Sequence, residues 1–479
     1  MLIALSNKKS RTLRIITILT VLVLILESLM WPAAANAGVF NAAGFSPEEE
    51  RALGKKFLLM VESRLPLISD PDVVSYVERV GRKILAQAGP QFFDYRFYVI
   101  RDEALNAFAA PSGLVFVHSG MLEAMDNESE LAGILAHEVA HVVARHIARR
   151  IERTQKLSLI TMVGVLAGVF LGGGGKAAEA VASGALATTS ALSLKYSRED
   201  EEEADRMGFK WVQSAGYDVR GMISTFKKIR RYRFLGSPTI PSYMTTHPAL
   251  EERIGYLEDL ILARPTPVVK EDTTELCRCQ VYLSLAMKSP AQLREKWEAD
   301  LKKNPEDSYC YYGIALTYQA EKQYGQADHY LDRAASLGVS GSVLQGERGI
   351  NAFGEGRLSE ALILLKQSVE DAPALARFRL YLARTYKELG QVEEAVRSLE
   401  RIVQDFPDYA ESYYHLGLIY GGRKENGLAQ YNLGMYYKLT GEHQSAVIHL
   451  KQALQDKALS PGKRREIQGI LEDMKDVPQ

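Results

Sequence analysis

The rhythm of apolar and polar positions changes several times along the chain, and each rhythm predicts a different kind of element. SPEEERALGKKFLLMVESRLP sets Ser46 and Pro47 before an acidic first turn, a helix-start signature, and the stretch from 45 to 90 reads as helices. Tyr95–Ile100 and Leu114–His118 are short apolar runs that predict strands around a turn at Pro111, Ser112 and Gly113. A helix follows from about Glu128, and in it LAGILAHEVAHVVARH, residues 131–146, holds histidines and a glutamate among apolar neighbours. Leu157–Leu171 is apolar on every side, breaks at four glycines and resumes as an Ala-rich stretch. A helix apolar all round is buried or touches lipid, and this run is short of the ~20 residues that cross a bilayer.

From about Thr273 the pattern becomes periodic. Ala327, Ala361 and Ala395 recur at one fixed interval, and Pro373 and Pro407 at the same interval, each after an amphipathic helix. The interval is about 34 residues, the period of tetratricopeptide repeats, whose helix pairs bury a face only when their neighbours stack on it. Farther on, YYHLGLIYGG and QYNLGMYYKLTG resemble each other at half that period, with Gly417 and Gly434 aligned, which predicts extra or degenerate helices at the end. The expected fold is mainly α: a helical domain with a small β-sheet, residues 38–268, followed by an α-α solenoid, residues 273–479.

Composition adds limits. At 479 residues the chain is longer than one ordinary domain, and 47% hydrophobic residues suit compact cores. A net charge of -1 without a dense basic tract beyond the N-terminus gives no sign of a nucleic-acid partner. The first residues read as a secretory leader, 1–37: basic Lys8, Lys9, Arg11 and Arg14, an apolar stretch from Ile15 to about Met30, and Ala35-Asn36-Ala37 before a cut at Gly38. An uncleaved anchor is the alternative. Gly38 in place of a cysteine argues against lipid attachment there, and the mature chain is expected outside the cytoplasm. Cys277, Cys279 and Cys310 are an odd set, from which a bridge between Cys310 and one of the other two is expected.

The chemistry lies in His137, Glu138 and His141, an H-E-x-x-H. Residues four apart on a helix face the same way, so both imidazoles can meet one zinc ion while Glu138 stands beside the open position as general base for an attacking water. Ala144 and Ile147 exclude the metzincin extension, which needs glycine and histidine there. His146, about 140° around a continuous helix from His141, is expected as a surface or second-helix contact. The third ligand is sought in YSREDEEEADRMGFKW: Glu201 and Asp205, four apart, can supply a ligand and an acceptor for a histidine N–H, though spacing leaves Glu202 and Glu203 open.

NAFAAPSGLVFVHSGML, HEVAH, SREDEEEAD and THPALEERI, in this order, resemble the zinc metallopeptidases of the prenyl-protease/HtpX/Oma-like (gluzincin) family, a resemblance that covers nearly all of the mature chain. It implies a zincin-like domain holding one Zn2+ per chain through His137, His141 and Glu201, with Glu138 catalytic and Asp205 supporting a ligand. His247 is implied either as an oxyanion stabiliser or as a fourth ligand of a latent form. Asn106 and the strand Leu114, Val115, Phe116 to Val117 match a substrate-pairing edge, with Arg253 a supporting charge nearby. Family members often carry membrane spans where this chain has the Gly- and Ala-rich stretch after Lys156, too short for two spans. A mobile hairpin over the active site, with peripheral membrane contact through 157–194, is expected instead. The leader in front and the repeats behind imply a periplasmic protease for misfolded or stalled proteins, with outer-membrane barrel proteins and their assembly machinery as partners through the repeats. The rival reading is a chaperone or scaffold with a shut site. Intramembrane cleavage would need spans that the sequence lacks.

Overall fold

The computed structural model describes residues 45–153, 159–171, 195–234, 242–263 and 266–475. The leader with its cut before Gly38, and the part of the expected hairpin from 172 to 194, lie outside the described residues.

Among the described residues the chain opens with α1 (Pro47–Arg64), β1 (Leu67–Ile68) and α2 (Pro71–Leu85), then β2 (Arg96–Ile100), β3 (Ala107–Ala110), β4 (Leu114–His118) and α3 (Ser119–Glu123). The sheet runs β1-β2-β4-β3, with β2 parallel to β4 and β3 antiparallel to it. The predicted turn thus joins β3 to β4, with Ser112 at φ 71° and Gly113 at φ 85°, and not the two strands expected around it. β3 escaped prediction because three of its four residues are alanines, which carry little β preference. A second correction follows: Leu114, Val115 and Phe116 lie in an interior strand paired on both sides, Phe116 with Tyr98 and with Phe108. β4 therefore has no free edge for a substrate. The outer strands are β1 and β3.

Period-two alternation sends β4's side chains to two different layers. Val115 and Val117 join the core with Val77 of α2 and Leu135 of α4 (Glu128–Val143). Phe116 faces the other way, stacked on Phe108 (4.9 Å) and edge-on to Phe57 of α1 (6.0 Å). Phe170 of α6 (Leu159–Leu171) stacks on Phe108 at 5.1 Å, and Val165, Leu166 and Ala167 are buried with it. The all-round apolarity of α6 is thus answered by protein over the sheet. No described helix is long and apolar enough to cross a membrane.

α4, capped by Asn127, is buried from Ser129 to Val142. α5 (His146–Arg153), α7 (Arg198–Ser214), α8 (Arg220–Phe234), α9 (Ser242–Thr246) and α10 (Leu250–Ala263) complete this part. α4 and α8 cross backbone to backbone: a Cβ on Gly133 would lie 2.7 Å from Met222 Cα, and one on Gly221 would lie 2.4 Å from the Ser129 carbonyl carbon. Only glycine allows that approach.

Twelve helices follow: α11 (Thr274–Met287), α12 (Pro290–Lys303), α13 (Ser308–Ala320), α14 (Tyr324–Ser336), α15 (Gly341–Gly354), α16 (Leu358–Asp371), α17 (Ala376–Glu388), α18 (Val392–Asp405), α19 (Ala410–Gly422), α20 (Asn426–Leu439), α21 (His443–Gln455) and α22 (Pro461–Lys475). The periodic Ala327, Ala361 and Ala395 sit on α14, α16 and α18, each with no exposed surface, where a larger side chain would push the stacked helices apart. The half-period similarity has a packing cause. Gly417 of α19 faces Leu433 of α20, and Gly434 of α20 faces Leu450 of α21, so α20 is the second helix of one pair and the first of the next. The expected disulfide is absent: Cys277, Cys279 and Cys310 are free thiols, Cys279 and Cys310 buried and Cys277 partly so.

The two parts share a continuous core, in which Tyr76 of α2 and Leu276 and Cys279 of α11 are members of one apolar cluster. Polar ties fix the junction. Gln280 donates to the carbonyls of Leu122 (3.1 Å) and Met125 (2.8 Å). Asp72 Oδ1 accepts the N–H of Ala376, the first residue of α17, at 2.8 Å. Burial, and then the neighbouring Asp70 charge, push the Asp72 carboxyl up to about 7. The folded chain therefore holds its proton where the unfolded one has lost it, and this contribution to stability is full below about pH 4 and lost as pH rises through about 7. Asp72→Asn keeps the acceptor and cannot ionise, so its thermal stability should fall less than the parent's between pH 4 and 8. Asp72→Ala should lose ~1 kcal/mol by removing the cap. Equal pH slopes for parent and Asn variant in thermal unfolding would refute the assignment.

Candidate metal centre

One turn of α4 brings His137 and His141 together, their Nε2 atoms 2.9 Å apart. α7 starts at a capping box made by Ser197 and Asp200, which places Glu201 and Asp205 on its buried face and leaves Glu202 and Glu203 half exposed. Glu201 Oε2 lies 3.5 Å from His137 Nε2, and Oε1 lies 3.5 Å from His141 Nε2. Between α9 and α10, His247 brings Nδ1 to 3.1 Å from Glu201 Oε1 and 3.3 Å from His137 Nε2. The four donor atoms lie within 4.8 Å of one another and all four residues are buried. Tetrahedral zinc with bonds of 2.0–2.1 Å spaces its donors about 3.3–3.4 Å apart. The donor set fits such an ion.

Glu138 is wholly buried, and neither of its carboxylate oxygens has a hydrogen-bond partner among the described residues; His247 Nε2 stands 3.6 Å away. A buried carboxylate without partners is costly, and burial raises its pKa. Such a group is poised to take a proton. Asp205 Oδ1 accepts from His137 Nδ1 at 2.8 Å, which turns that ring's Nε2 toward the other donors.

Arg253, expected beside a substrate, is only 2% exposed and lies behind the donors. Its Nε and Nη2 grip the two oxygens of Asp205 at 2.7 Å each, Nη1 pairs with Glu201, and the guanidinium rests 4.3 Å from the centre of the Phe226 ring. α10 points the side chain inward, so it supports the site and cannot meet a ligand from outside. Asn106 is buried as well, its Nδ2 3.5 Å from both His118 Nε2 and the Phe170 carbonyl, beneath α6.

The charges explain the pKa directions. Three buried carboxylates, Glu138, Glu201 and Asp205, face one buried guanidinium. Burial, the largest single influence, opposes ionisation of Asp205 and Glu201, but it is outweighed by Arg253 together with His137 at Asp205 and by Arg253 together with His247 and His137 at Glu201. Asp205 falls to about 2 and Glu201 well below the usual range. Burial and Arg253 oppose a proton on His137, but Asp205 and Glu201 hold it up at about 9. His141 goes down through burial and the adjacent His137. The site thus attracts positive charge, and a divalent cation would answer it better than one imidazolium.

Three further side chains surround the donors. Tyr196 stacks on His141 with ring centres 3.7 Å apart, and Tyr243 on His247 at 4.2 Å; both phenol oxygens are buried without a partner among the described residues. His146 is fully buried against His141 and reaches Glu203 of α7, so of the expected surface or second-helix contact it makes the second. The 140° argument fails because the helix ends: Arg145 takes φ 51° and the chain starts afresh in α5. The tyrosines' only signal was adjacency, Tyr196 lying just before the acidic run.

Residues 71–261 match the Peptidase family M48 model, and residues 352–419 and 427–455 match tetratricopeptide-repeat models. The chain is 28% identical over 385 residues to the beta-barrel assembly-enhancing protease of Yersinia pestis, covering 78% of this chain and 77% of that one. It is 26% identical over 372 residues to the protein of the same name from Escherichia coli K12, covering 76% and 75%. To the mitochondrial metalloendopeptidase OMA1 of Schizosaccharomyces pombe it is 34% identical over 203 residues, 42% of this chain and 56% of that one.

Removing one partner of a buried ion pair leaves the other charge uncompensated. Arg253→Gln should destabilise the metal-free chain by about 3–5 kcal/mol, measured by urea unfolding. A change below ~1 kcal/mol would show that Asp205 and Glu201 do not depend on it.

Proposed function

From the peptidase family M48 domain matched at residues 71–261, with tetratricopeptide repeats behind it, we propose a zinc-dependent endopeptidase of the periplasm that acts on misfolded or stalled proteins in outer-membrane assembly. The observation that carries the catalytic part is the convergence of His137, His141, Glu201 and His247 beside an unpartnered Glu138. One Zn2+ per chain, held by His137, His141 and Glu201, would supply Lewis acidity to polarise the scissile carbonyl and acidify the attacking water. Glu138 takes the proton from that water and returns it to the leaving amine. Asp205 fixes the His137 ring through its Nδ1. Extended substrate is assigned to the outer edge of β3, which Asn106 precedes, because β4 is already paired on both sides.

The names of the relatives support outer-membrane barrel proteins and their assembly machinery as the clients. The repeats, assigned to 273–479 behind a peptidase domain of 38–268, are the surface on which such proteins would be held. The leader-like residues 1–37 support export to the periplasm, and the charge pattern gives no sign of a nucleic-acid partner.

A second reading, a largely latent chaperone with a gated protease site, is favoured by one observation. His247 Nδ1 stands in the donor cluster, 3.1 Å from Glu201 and 3.3 Å from His137, where it would fill the position that the water needs. The alternative for His247 is oxyanion stabilisation.

Two variants of the secreted chain test these readings against an unfolded protein substrate. Glu138→Gln should keep zinc and lose about 10²–10⁴-fold in cleavage rate; undiminished cleavage would remove Glu138 as the base. His247→Ala should raise cleavage if the imidazole shuts the site and lower it if it stabilises the oxyanion.

A further inference from the structure

His137 and His141 are supported differently. His137 leans on a carboxylate, Asp205, whereas the Nδ1 of His141 meets another imidazole, His146 Nδ1, at 2.7 Å. Beyond it, His146 Nε2 lies 3.1 Å from Glu203 Oε2, which Arg149 Nη2 also holds at 2.7 Å; Asp200 Oδ1 is a more distant second acceptor at 3.8 Å. The chain of contacts runs from the buried donor cluster to Glu203, whose side chain is 46% exposed.

The protein builds this contact at some cost. A non-glycine residue in the left-handed region is disfavoured and persists where its surroundings hold it. Arg145 is held there, its Nε and Nη2 gripping Glu50 Oε2 at 2.9 and 2.8 Å, with Glu50 buried on α1. The reversal at Arg145 is what turns His146 back under α4. A straight continuation of the helix would have carried it away from His141.

We propose that His146 is the positioning residue of the His141 ligand, acting in a relay from His141 through His146 to Glu203. If His141 binds metal through Nε2, its single proton must sit on Nδ1 and be donated to His146 Nδ1. His146 then carries its own proton on Nε2 and donates to Glu203. Each donor and acceptor in the relay is fixed by the one before it, so the ring of His141 is held in one tautomer and one orientation. This inference rests on the zinc reading of the site.

The test is a zinc competition titration of the full metal-free chain against a chromophoric chelator, with urea unfolding of the same metal-free proteins as a control. His146→Ala should weaken zinc binding about 10–100-fold. His146→Asn should recover most of the loss, since Asn Oδ1 can stand where Nδ1 accepts. Glu203→Ala should lose less than His146→Ala, since Asp200 remains. A merely structural His146 would lower metal-free stability in both His146 variants without separating their affinities, and that result would overturn the relay, as would parent-like affinity in His146→Ala. Should the alanine variant not fold, an affinity for His146→Asn no closer to the parent's than about 10-fold, with Glu203→Ala unchanged, would overturn it too. A parent chain that binds no zinc would sink the zinc reading itself, whereas a zinc-binding parent with indifferent variants sinks the relay alone.

Discussion

Everything in the catalytic half is arranged around a cluster of charge that has been taken out of water. His137, Glu138, His141, Glu201, Asp205, His247 and Arg253 are all nearly or wholly buried, and an uncompensated ion in such a place would be too costly to keep. Arg253 supplies the fixed positive charge, with its fork on Asp205 and a third nitrogen on Glu201. Asp205 and His146 then orient the two helix histidines. The apolar shell of α4, α6 and the sheet keeps water out, which strengthens each of these contacts.

The same enclosure makes access the functional problem. α6 lies over the sheet with Phe170 against Phe108 and near the buried Asn106, and His247 occupies the donor cluster. A protease gains from a resting state in which the reacting groups are assembled and covered. α11 and α17 are bound to the catalytic half through Gln280 and Asp72 and a shared core. The two parts therefore move, if they move, through packed contacts and not about a free linker.

Much of this was legible in the residues. H-E-x-x-H in an apolar helix named the ion-binding helix because four-residue spacing is a local property of helices. The 34-residue recurrence of Ala327, Ala361 and Ala395 named the solenoid because stacking repeats the same steric demand at each level. Metal chemistry was readable for the same reason that the acidic run was ambiguous: spacing tells which residues share a face, and does not tell which way the face points. Only the capping box at Ser197 and the packing of α7 on α4 turned Glu201 inward and Glu202 and Glu203 out.

Local sequence thus determined the kinds of element, the donor pair on one turn, the glutamate beside it and the repeating architecture, since each follows from contacts within a few residues or from a regular period. Tertiary structure decided what depends on residues far apart in the chain. It placed β4 inside the sheet and β3 at its edge, left three cysteines unpaired, sent Arg253 behind the ligands and folded His146 back beneath His141. Each of those outcomes turns on a reversal or a crossing, such as the left-handed step at Arg145 or the glycine contact between α4 and α8, whose direction is set by the partners it meets and is not encoded in spacing.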